Sequence, residues 1–261
     1  MNYGIHFYFI NVSLSFNLCG VTNMTINIKE YVQKENRLFN SVMLKPIKYQ
    51  KHSKQNFKLD RLLLEATFTV LWEYLLYQKN YIQTFKIEQF QNVMTLNDLE
   101  IIEKKEALPT KLLYMLAQSH SNIQLMHHLR KSQYRGINQF KQDVNSLEDQ
   151  INHFLSHSSS WGDIIYKPRF IYEPLSLKGE GDFIIDDIFW VFDYTLETVV
   201  STHLHKELIM ATLINETKKE KDLKTYSFKQ WGIYNPLLNT YEILNIKIPE
   251  EVLAVWETMI L

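Results

Sequence analysis

The sequence contains little cysteine and little glycine. Cys19 is the only cysteine among 261 residues, which excludes an internal disulfide and a thiolate metal site. A chain without disulfides suits a reducing compartment, so we expect it in the cytoplasm. The seven glycines form no phosphate-binding loop, which argues against a Rossmann domain, and neither a Ser-His-Asp order nor a zinc-ligand spacing is present.

Charged residues are missing from the N-terminal stretch. Residues 1–22 contain no Lys, Arg, Asp or Glu. The stretch has neither the positive region nor the small-residue cleavage site of a signal peptide, and polar residues interrupt it too often for a membrane span. We expect residues 1–23 to be an atypical apolar extension, either an added strand or sequence that precedes a true start at Met24.

The two halves of the chain differ in charge. Residues 1–136 carry 17 Lys and Arg against 10 Asp and Glu, whereas residues 137–261 carry 11 against 19. A basic half beside an acidic half suits a protein that grips a polyanion next to a metal site. The same asymmetry also occurs in proteins whose halves simply pair with each other.

The hydrophobic period changes along the chain. Helical spacing dominates up to residue 158, and β-branched and aromatic runs follow Trp161. We predict an α/β protein with a helical region over 24–136 and an α/β core over 137–261, in which helices flank a small mixed β-sheet. The predicted helices are 27–44, 59–79, 95–108, 109–132, 137–157, 201–215 and 250–259. Residues 134–136 are expected to separate the fourth helix from the fifth. The predicted strands are 164–172, the two arms of a hairpin over 182–195, 228–234 and 241–246.

The sequence around Asp186 and Asp187 predicts a tight β-hairpin. Phe183–Ile185 and Ile188–Phe192 are rich in strand-forming residues, and two aspartates between them favour a turn over a ligand role. Side chains alternate with a period of two, so one face of the hairpin would gather acidic and basic groups. The pairs expected to face each other are Asp182 with Val191, Glu180 with Asp193, and Lys178 with Thr195.

Carboxylates gathered on one face repel each other, and a divalent cation relieves that repulsion. The sequence Gly179-Glu180-Gly181-Asp182, followed after ten residues by Asp193-Tyr194-Thr195, resembles the metal-binding motif of the PD-(D/E)xK nuclease superfamily. The order helix, strand, strand, strand, helix, strand over 137–246 is similar to its restriction-endonuclease-like core, and the helix at 201–215 followed by Trp231–Pro236 is similar to RecB-like members.

The resemblance implies a metal-dependent nuclease that cleaves DNA in restriction, repair or phage defence. Thr195 stands where the family has a lysine, so a catalytic role would pass to Lys178 or Lys206. If neither lysine reaches the acids, the alternative is a catalytically inactive module that binds nucleic acid or a protein partner. The implied ligands of Mg²⁺ or Mn²⁺ are Asp182, Asp193, Glu180 and, from the helix before the first strand, Glu148.

A basic run lies between Lys45 and Arg61. Such a run is usually an exposed, solvated loop, but mobile cations are also what phosphate neutralisation requires. If the protein is a nuclease, this run is the leading DNA-contact candidate. The residues expected to contact DNA are Lys48, Lys51, Lys54 and Lys58.

Overall fold

The computed structural model describes residues 26–34, 37–39, 42–50, 61–86, 94–120, 133–221, 223 and 225–260. Within these ranges the chain is a mixed α/β protein. Its helices are α1 (Ile28–Lys34), α2 (Arg61–Gln78), α3 (Leu96–Glu103), α4 (Thr110–His120), α5 (Gln133–Leu155), α6 (Thr202–Glu220) and α7 (Glu250–Ile260). Its strands are β1 (Ile26–Asn27), β2 (Ile165–Tyr166), β3 (Arg169–Tyr172), β4 (Leu177–Glu180), β5 (Phe183–Ile185), β6 (Ile188–Phe192), β7 (Gln230–Asn235) and β8 (Thr240–Asn245).

The strands form two mixed sheets. The larger sheet has the order β2-β5-β6-β7-β8, and only its β6–β7 pair is parallel. Because parallel neighbours need a long crossover, α6 connects these two strands. The smaller sheet has the order β1-β4-β3, with β1 parallel and β3 antiparallel to β4. The expected α/β class is confirmed.

β5 and β6 form the predicted hairpin. Phe183 pairs with Trp190, which is the register expected from the sequence. Asp186 and Asp187 have φ angles of 53° and 58°, as the two central residues of a type I′ turn do. Aspartate tolerates this left-handed conformation better than most residues, which explains why this pair makes the turn.

The larger sheet separates two hydrophobic cores. Phe183 and Trp190 point into the first core, which they share with α2, α4 and α5. Ile184 and Val191 point into the second core, which they share with α1, α6 and α7. Successive side chains of a strand point to opposite faces, so the apolar hairpin is covered by helices on both sides.

Several helices begin and pack as the sequence predicts. Thr95 caps α3 with a reciprocal capping box to Asp98, and Ser201 caps α6 by accepting a hydrogen bond from the Leu204 amide. The dense apolar composition of α2 predicts burial on most of its sides, and Trp72 is among its fully buried residues. Local capping chemistry and apolar density are enough to fix these elements.

Some predicted helix boundaries are wrong. α5 begins at Gln133, so residues 134–136 do not interrupt the helix. The predicted boundary between the helical region and the α/β core, at residue 136, falls inside α5. One glycine within a helix costs only about 1 kcal/mol, which burial of residues such as Phe140 and Leu147 outweighs. The helix predicted over 27–44 ends at Lys34.

The strand predicted over 164–172 is two strands in different sheets. β2 belongs to the larger sheet and β3 to the smaller one. Lys167, with a φ of 49°, and Pro168 lie between them. A left-handed residue followed by a proline cannot continue a β ladder, so the chain leaves one sheet here and enters the other.

The facing pairs predicted for Glu180 and Lys178 are wrong. Lys178 pairs with Ile171, and Glu180 pairs with Arg169, both within the smaller sheet. The Gly181 amide donates to the Pro168 carbonyl at 2.9 Å, which holds the chain in that sheet up to this residue. Glu180 therefore does not face Asp193, and Lys178 does not face Thr195.

Candidate functional site

The two motif aspartates lie at the same end of the hairpin. Asp182 immediately precedes β5, and Asp193 immediately follows β6. Because β5 and β6 are antiparallel, the start of one strand is next to the end of the other. Both residues are therefore placed where the regular hairpin ladder stops.

The Asp182 side chain accepts a hydrogen bond that continues the β5–β6 ladder beyond its last backbone pair. The Asp182 amide donates to the Trp190 carbonyl at 3.3 Å, and the Phe192 amide donates to Asp182 Oδ2 at 2.7 Å. Oδ1 accepts no hydrogen bond from the described residues. One carboxylate oxygen is thus fixed by the protein, and the other is available to a ligand.

Asp182 is half-buried beside several charged groups. Burial raises the pKa of Asp182 to about 6, although the Phe192 amide and the positive charges of Lys29 and Lys167 oppose the rise, and the Glu180 carboxylate adds to it. Burial also raises the pKa of Glu207, with Lys29 opposing and Asp182 adding to this rise. A carboxyl group with a perturbed pKa and nearby cations is typical of functional sites.

Lys29, Lys167 and Glu207 are functional candidates that the sequence analysis missed. Lys29 is on α1 and Glu207 is on α6, and both of these helices contribute residues to the second core. The Lys167 amide donates to the Asp182 carbonyl at 2.9 Å. Nothing in the sequence signals these neighbours, because each comes from a different element.

The two lysines beside Asp182 are not equivalent. Lys167 Nζ already lies 3.6 Å from Glu73 Oε2, in an ion pair with a buried carboxylate. Lys29 is exposed and forms no ion pair within the described ranges. Lys29 is therefore the amine near Asp182 that remains available to a bound anion.

Asp193 is held by hydrogen bonds from its own chain. The Tyr49 hydroxyl donates to Asp193 Oδ2 at 2.8 Å, and the Thr195 amide donates to Oδ1 at 3.1 Å. The residue is 8% exposed. Burial raises the pKa of Asp193, and the hydrogen bonds from Tyr49 and Thr195 oppose that rise.

Residues 47–50 bring Tyr49 to Asp193. Lys48 forms an isolated antiparallel bridge with Val199, and the Tyr49 amide donates to the Thr198 carbonyl at 3.0 Å. This pairing anchors the start of the predicted basic run near the Asp193 end of the hairpin. Lys48 is exposed there, whereas Lys51, Lys54 and Lys58 lie outside the described residues.

The other predicted site residues are placed elsewhere. Lys206 Nζ lies 5.1 Å from the ring centroid of Phe39, and Lys178 lies on β4 in the smaller sheet. Glu148 is on α5, which packs in the first core, whereas Tyr49, the partner of Asp193, belongs to the second.

Glu180 lies near the candidate site, but not by the predicted pairing. It forms an ion pair with Arg169, whose Nε lies 3.4 Å from Glu180 Oε2, and it does not oppose Asp193. Its charge nevertheless acts on Asp182 by raising the pKa of that carboxyl. Glu180 is therefore near the candidate site, but through its position in β4 and not through the hairpin.

The residues present can be tested against a Mg²⁺ ion. Within the described ranges no group of three or more His, Cys, Asp or Glu side chains is arranged to hold a metal ion. Mg²⁺ is commonly bound through one or two carboxylates, with water and substrate phosphates completing its shell. Asp182 fits this requirement through Oδ1, whereas both oxygens of Asp193 already accept hydrogen bonds.

Comparisons with known proteins found no protein-family model, no curated protein and no solved structure that matches this chain. Among the described helices, none combines the length and the apolar character needed to cross a membrane.

Proposed function

We propose that the protein is a metal-dependent nuclease that cleaves phosphodiester bonds in DNA, with a restriction-endonuclease-like core. The order of elements supports this proposal. α5, β2, β5, β6, α6 and β7 follow one another with β3 and β4 inserted after β2, and the four strands are neighbours in one sheet. This is the helix, strand, strand, strand, helix, strand order on which the resemblance to PD-(D/E)xK nucleases rests.

One observation carries the proposal: Asp182, at the end of the hairpin, has an unbonded oxygen and exposed Lys29 within electrostatic reach. Thr195 cannot supply the cation that phosphodiester cleavage needs for orienting water and stabilising developing charge. We propose that Lys29 does so from α1. The missing motif lysine is thus replaced from a different part of the fold.

The proposed roles follow from these contacts. Asp182 would hold Mg²⁺ or Mn²⁺ through Oδ1, and Asp193 would join it as a ligand only by exchanging one of its hydrogen bonds for the ion. The bound ion would polarise the scissile phosphate and lower the pKa of the attacking water. Tyr49 and the Thr195 amide fix the Asp193 carboxylate, and exposed Lys48 would contact the DNA backbone near this end.

The alternative function is a catalytically inactive module that binds nucleic acid or a protein partner. One observation favours it: Asp193 is buried, and both of its oxygens accept hydrogen bonds from the protein. An aspartate satisfied in this way is suited to a structural role. If Asp193 does not bind a metal, Asp182 would have to bind it with fewer protein ligands.

The experiment is a DNA cleavage assay with added Mg²⁺ or Mn²⁺, using duplex and single-stranded substrates. We expect cleavage that EDTA abolishes and that Asp182→Asn removes. Asp186→Asn is the matched control, because it neutralises an acid at the opposite end of the same hairpin, where asparagine tolerates the positive φ. Activity should survive in this control.

Two results would contradict the nuclease proposal. One is full activity in Asp182→Asn. The other is a folded wild-type protein that binds DNA but cleaves none of the substrates with either metal, which would support the inactive module instead. Circular dichroism of each variant checks that it is folded.

A further inference from the structure

A cavity of about 550 Å³ lies between the C-terminal half of α5 and strands β7 and β8. Its volume is within the range of ligand pockets in proteins. α5 contributes Gln150, His153 and Phe154, and β7 and β8 contribute Tyr234, Tyr241 and Glu242. None of these residues was singled out by the sequence motif, and none belongs to the Asp182 site.

One wall of the cavity is aromatic. The rings of Phe154 and Tyr234 are stacked, with centroids 4.4 Å apart and planes at 17°. The ring of Tyr241 meets that of Phe154 edge-on, with centroids 5.8 Å apart, and Tyr241 is 40% exposed although it lies on a strand. Phe154 and Tyr234 are buried and stack on each other, so the exposed ring of Tyr241 is the one available to a flat, unsaturated ligand.

The cavity also has buried polar atoms without partners. Gln150 is 5% exposed, and its Oε1 has no hydrogen-bond partner within the described ranges. The hydroxyl of buried Tyr234 likewise has none there. Leaving buried polar groups unpaired is destabilising, so a ligand that donates to Gln150 Oε1 would satisfy an atom that the protein does not.

The lining contains one carboxylate, Glu242, and two imidazoles, His153 and His157. Glu242 is buried, and its Oε1 accepts a hydrogen bond from the Gln50 amide at 2.6 Å. A carboxylate repels anions and accepts hydrogen bonds from N–H groups. With Gln150 Oε1 as a second acceptor, the lining suits a flat ring that carries an amino group.

The cavity is linked to the Asp193 end of the hairpin by consecutive residues. Tyr49 donates to Asp193, and the next residue, Gln50, lines the cavity and donates to Glu242. The Asp193 amide also donates to the carbonyl of Tyr234, at 2.9 Å. A group bound in the cavity would therefore lie close to Asp193.

We infer that this cavity binds one nucleobase with an amino group, namely adenine, cytosine or guanine, of the nucleic-acid strand. The base would stack on the exposed ring of Tyr241 and donate to Gln150 and Glu242, while its sugar and phosphate stay outside. The choice of nucleobase as the ligand class rests on the proposed nuclease function. The cavity and its unpaired polar groups do not depend on it.

The test measures binding of the four deoxynucleoside 5′-monophosphates and of deoxyribose 5-phosphate by calorimetry, in EDTA so that no metal contributes. We expect the three amino-bearing nucleotides to bind, with thymidine monophosphate and deoxyribose 5-phosphate weaker by at least about tenfold. Equal binding of deoxyribose 5-phosphate would show recognition of phosphate and overturn the inference. Equal binding of thymidine monophosphate would overturn the amino-group requirement.

Two variants and a matched control locate the binding. Gln150→Leu and Tyr241→Ala should each weaken binding by at least about tenfold. Ile243→Ala should leave it unchanged, because Ile243 is 42% exposed on the same strand but does not line the cavity. Gln150→Leu also removes an unpaired buried oxygen, so its melting temperature should equal or exceed that of the wild type. Wild-type affinity in both variants would refute the assignment.

Failure of this inference is distinguishable from failure of the nuclease proposal. If the wild type cleaves DNA but binds none of the mononucleotides, only the cavity assignment is wrong. If the mononucleotides bind as expected and no substrate is cleaved, the cavity assignment stands with the inactive module. Asp182→Asn should bind the mononucleotides like the wild type in either case.

Discussion

Asp182 and Asp193 lie at the same end of one hairpin, yet their surroundings differ. Asp193 has both oxygens bonded to groups of its own chain and is almost inaccessible. Asp182 has one oxygen bonded to the Phe192 amide, is half-buried, and lies near the positive charge of exposed Lys29. The protein thus fixes one carboxylate and leaves part of the other available.

The difference shows that two acids with equivalent positions in a motif need not have equivalent roles. A carboxylate that is fully hydrogen-bonded contributes to stability, whereas one with a free oxygen and a raised pKa is held at an energetic cost. We therefore expect substitutions at Asp182 to affect activity more than stability. Substitutions around Asp193 should affect stability more.

The largest expected effect comes from Asp182→Asn. Loss of a metal-binding carboxylate should lower the cleavage rate by about 10²–10³-fold, since a catalytic metal contributes several kcal/mol. The melting temperature should stay equal or rise, because asparagine can still accept the Phe192 hydrogen bond without burying a charge. Cleavage kinetics and thermal denaturation measure the two effects. If Asp182→Asn loses activity only because it is partly unfolded, Asp182 does not differ from Asp193 in the way we propose.

Lys29→Met should produce the next largest effect. Removing the amine near Asp182 while keeping side-chain length should lower cleavage by about 10–100-fold. Lys178→Met is the matched control, since Lys178 is exposed in the smaller sheet, and it should change the rate less than about twofold. If Lys178→Met is the more damaging variant, the replacement of the motif lysine by Lys29 is wrong.

The pH dependence should report Asp182. If the ionised carboxylate is required, the cleavage rate should fall about tenfold per pH unit below pH 6, where burial places the pKa of Asp182.

The folded state then binds this proton more tightly than the unfolded state. Stability relative to Asp182→Asn should therefore fall as pH rises from about 4 to about 6, by on the order of 1–2 kcal/mol after allowance for solvent screening. A pH-independent difference would show that the Asp182 pKa is not raised.

Tyr49→Phe should have the smallest effect on rate and act on stability. It removes the hydroxyl that donates to buried Asp193, and a buried acceptor left unpaired costs about 1–3 kcal/mol. Denaturant unfolding measures the change. Tyr241→Phe is the control, because its exposed side chain makes no hydrogen bond in the described ranges, and its effect should stay within about 0.5 kcal/mol. Equal stability of the two variants would show that the Tyr49 hydrogen bond does not hold Asp193.

Much of the hairpin was predictable from the sequence because its determinants are local. Asp186 and Asp187 favour the turn, and the apolar strands on either side fix the register through Phe183 and Trp190. The prediction failed at Glu180, where a hydrogen bond from Gly181 to Pro168 keeps the chain in the other sheet. No local preference distinguishes these two continuations, because both use extended backbone.

The sequence by itself determined the turn, the apolar strands, the capped start of α3 and the burial of α2, since neighbouring residues decide each of them. Only the tertiary structure decided which charges surround Asp182. Lys29 and Glu207 reach it from helices that pack on the second core, and Tyr49 reaches Asp193 through a bridge to residues 198–200. Their proximity depends on how distant segments pack together, and the spacing of a motif along the chain carries no information about that packing.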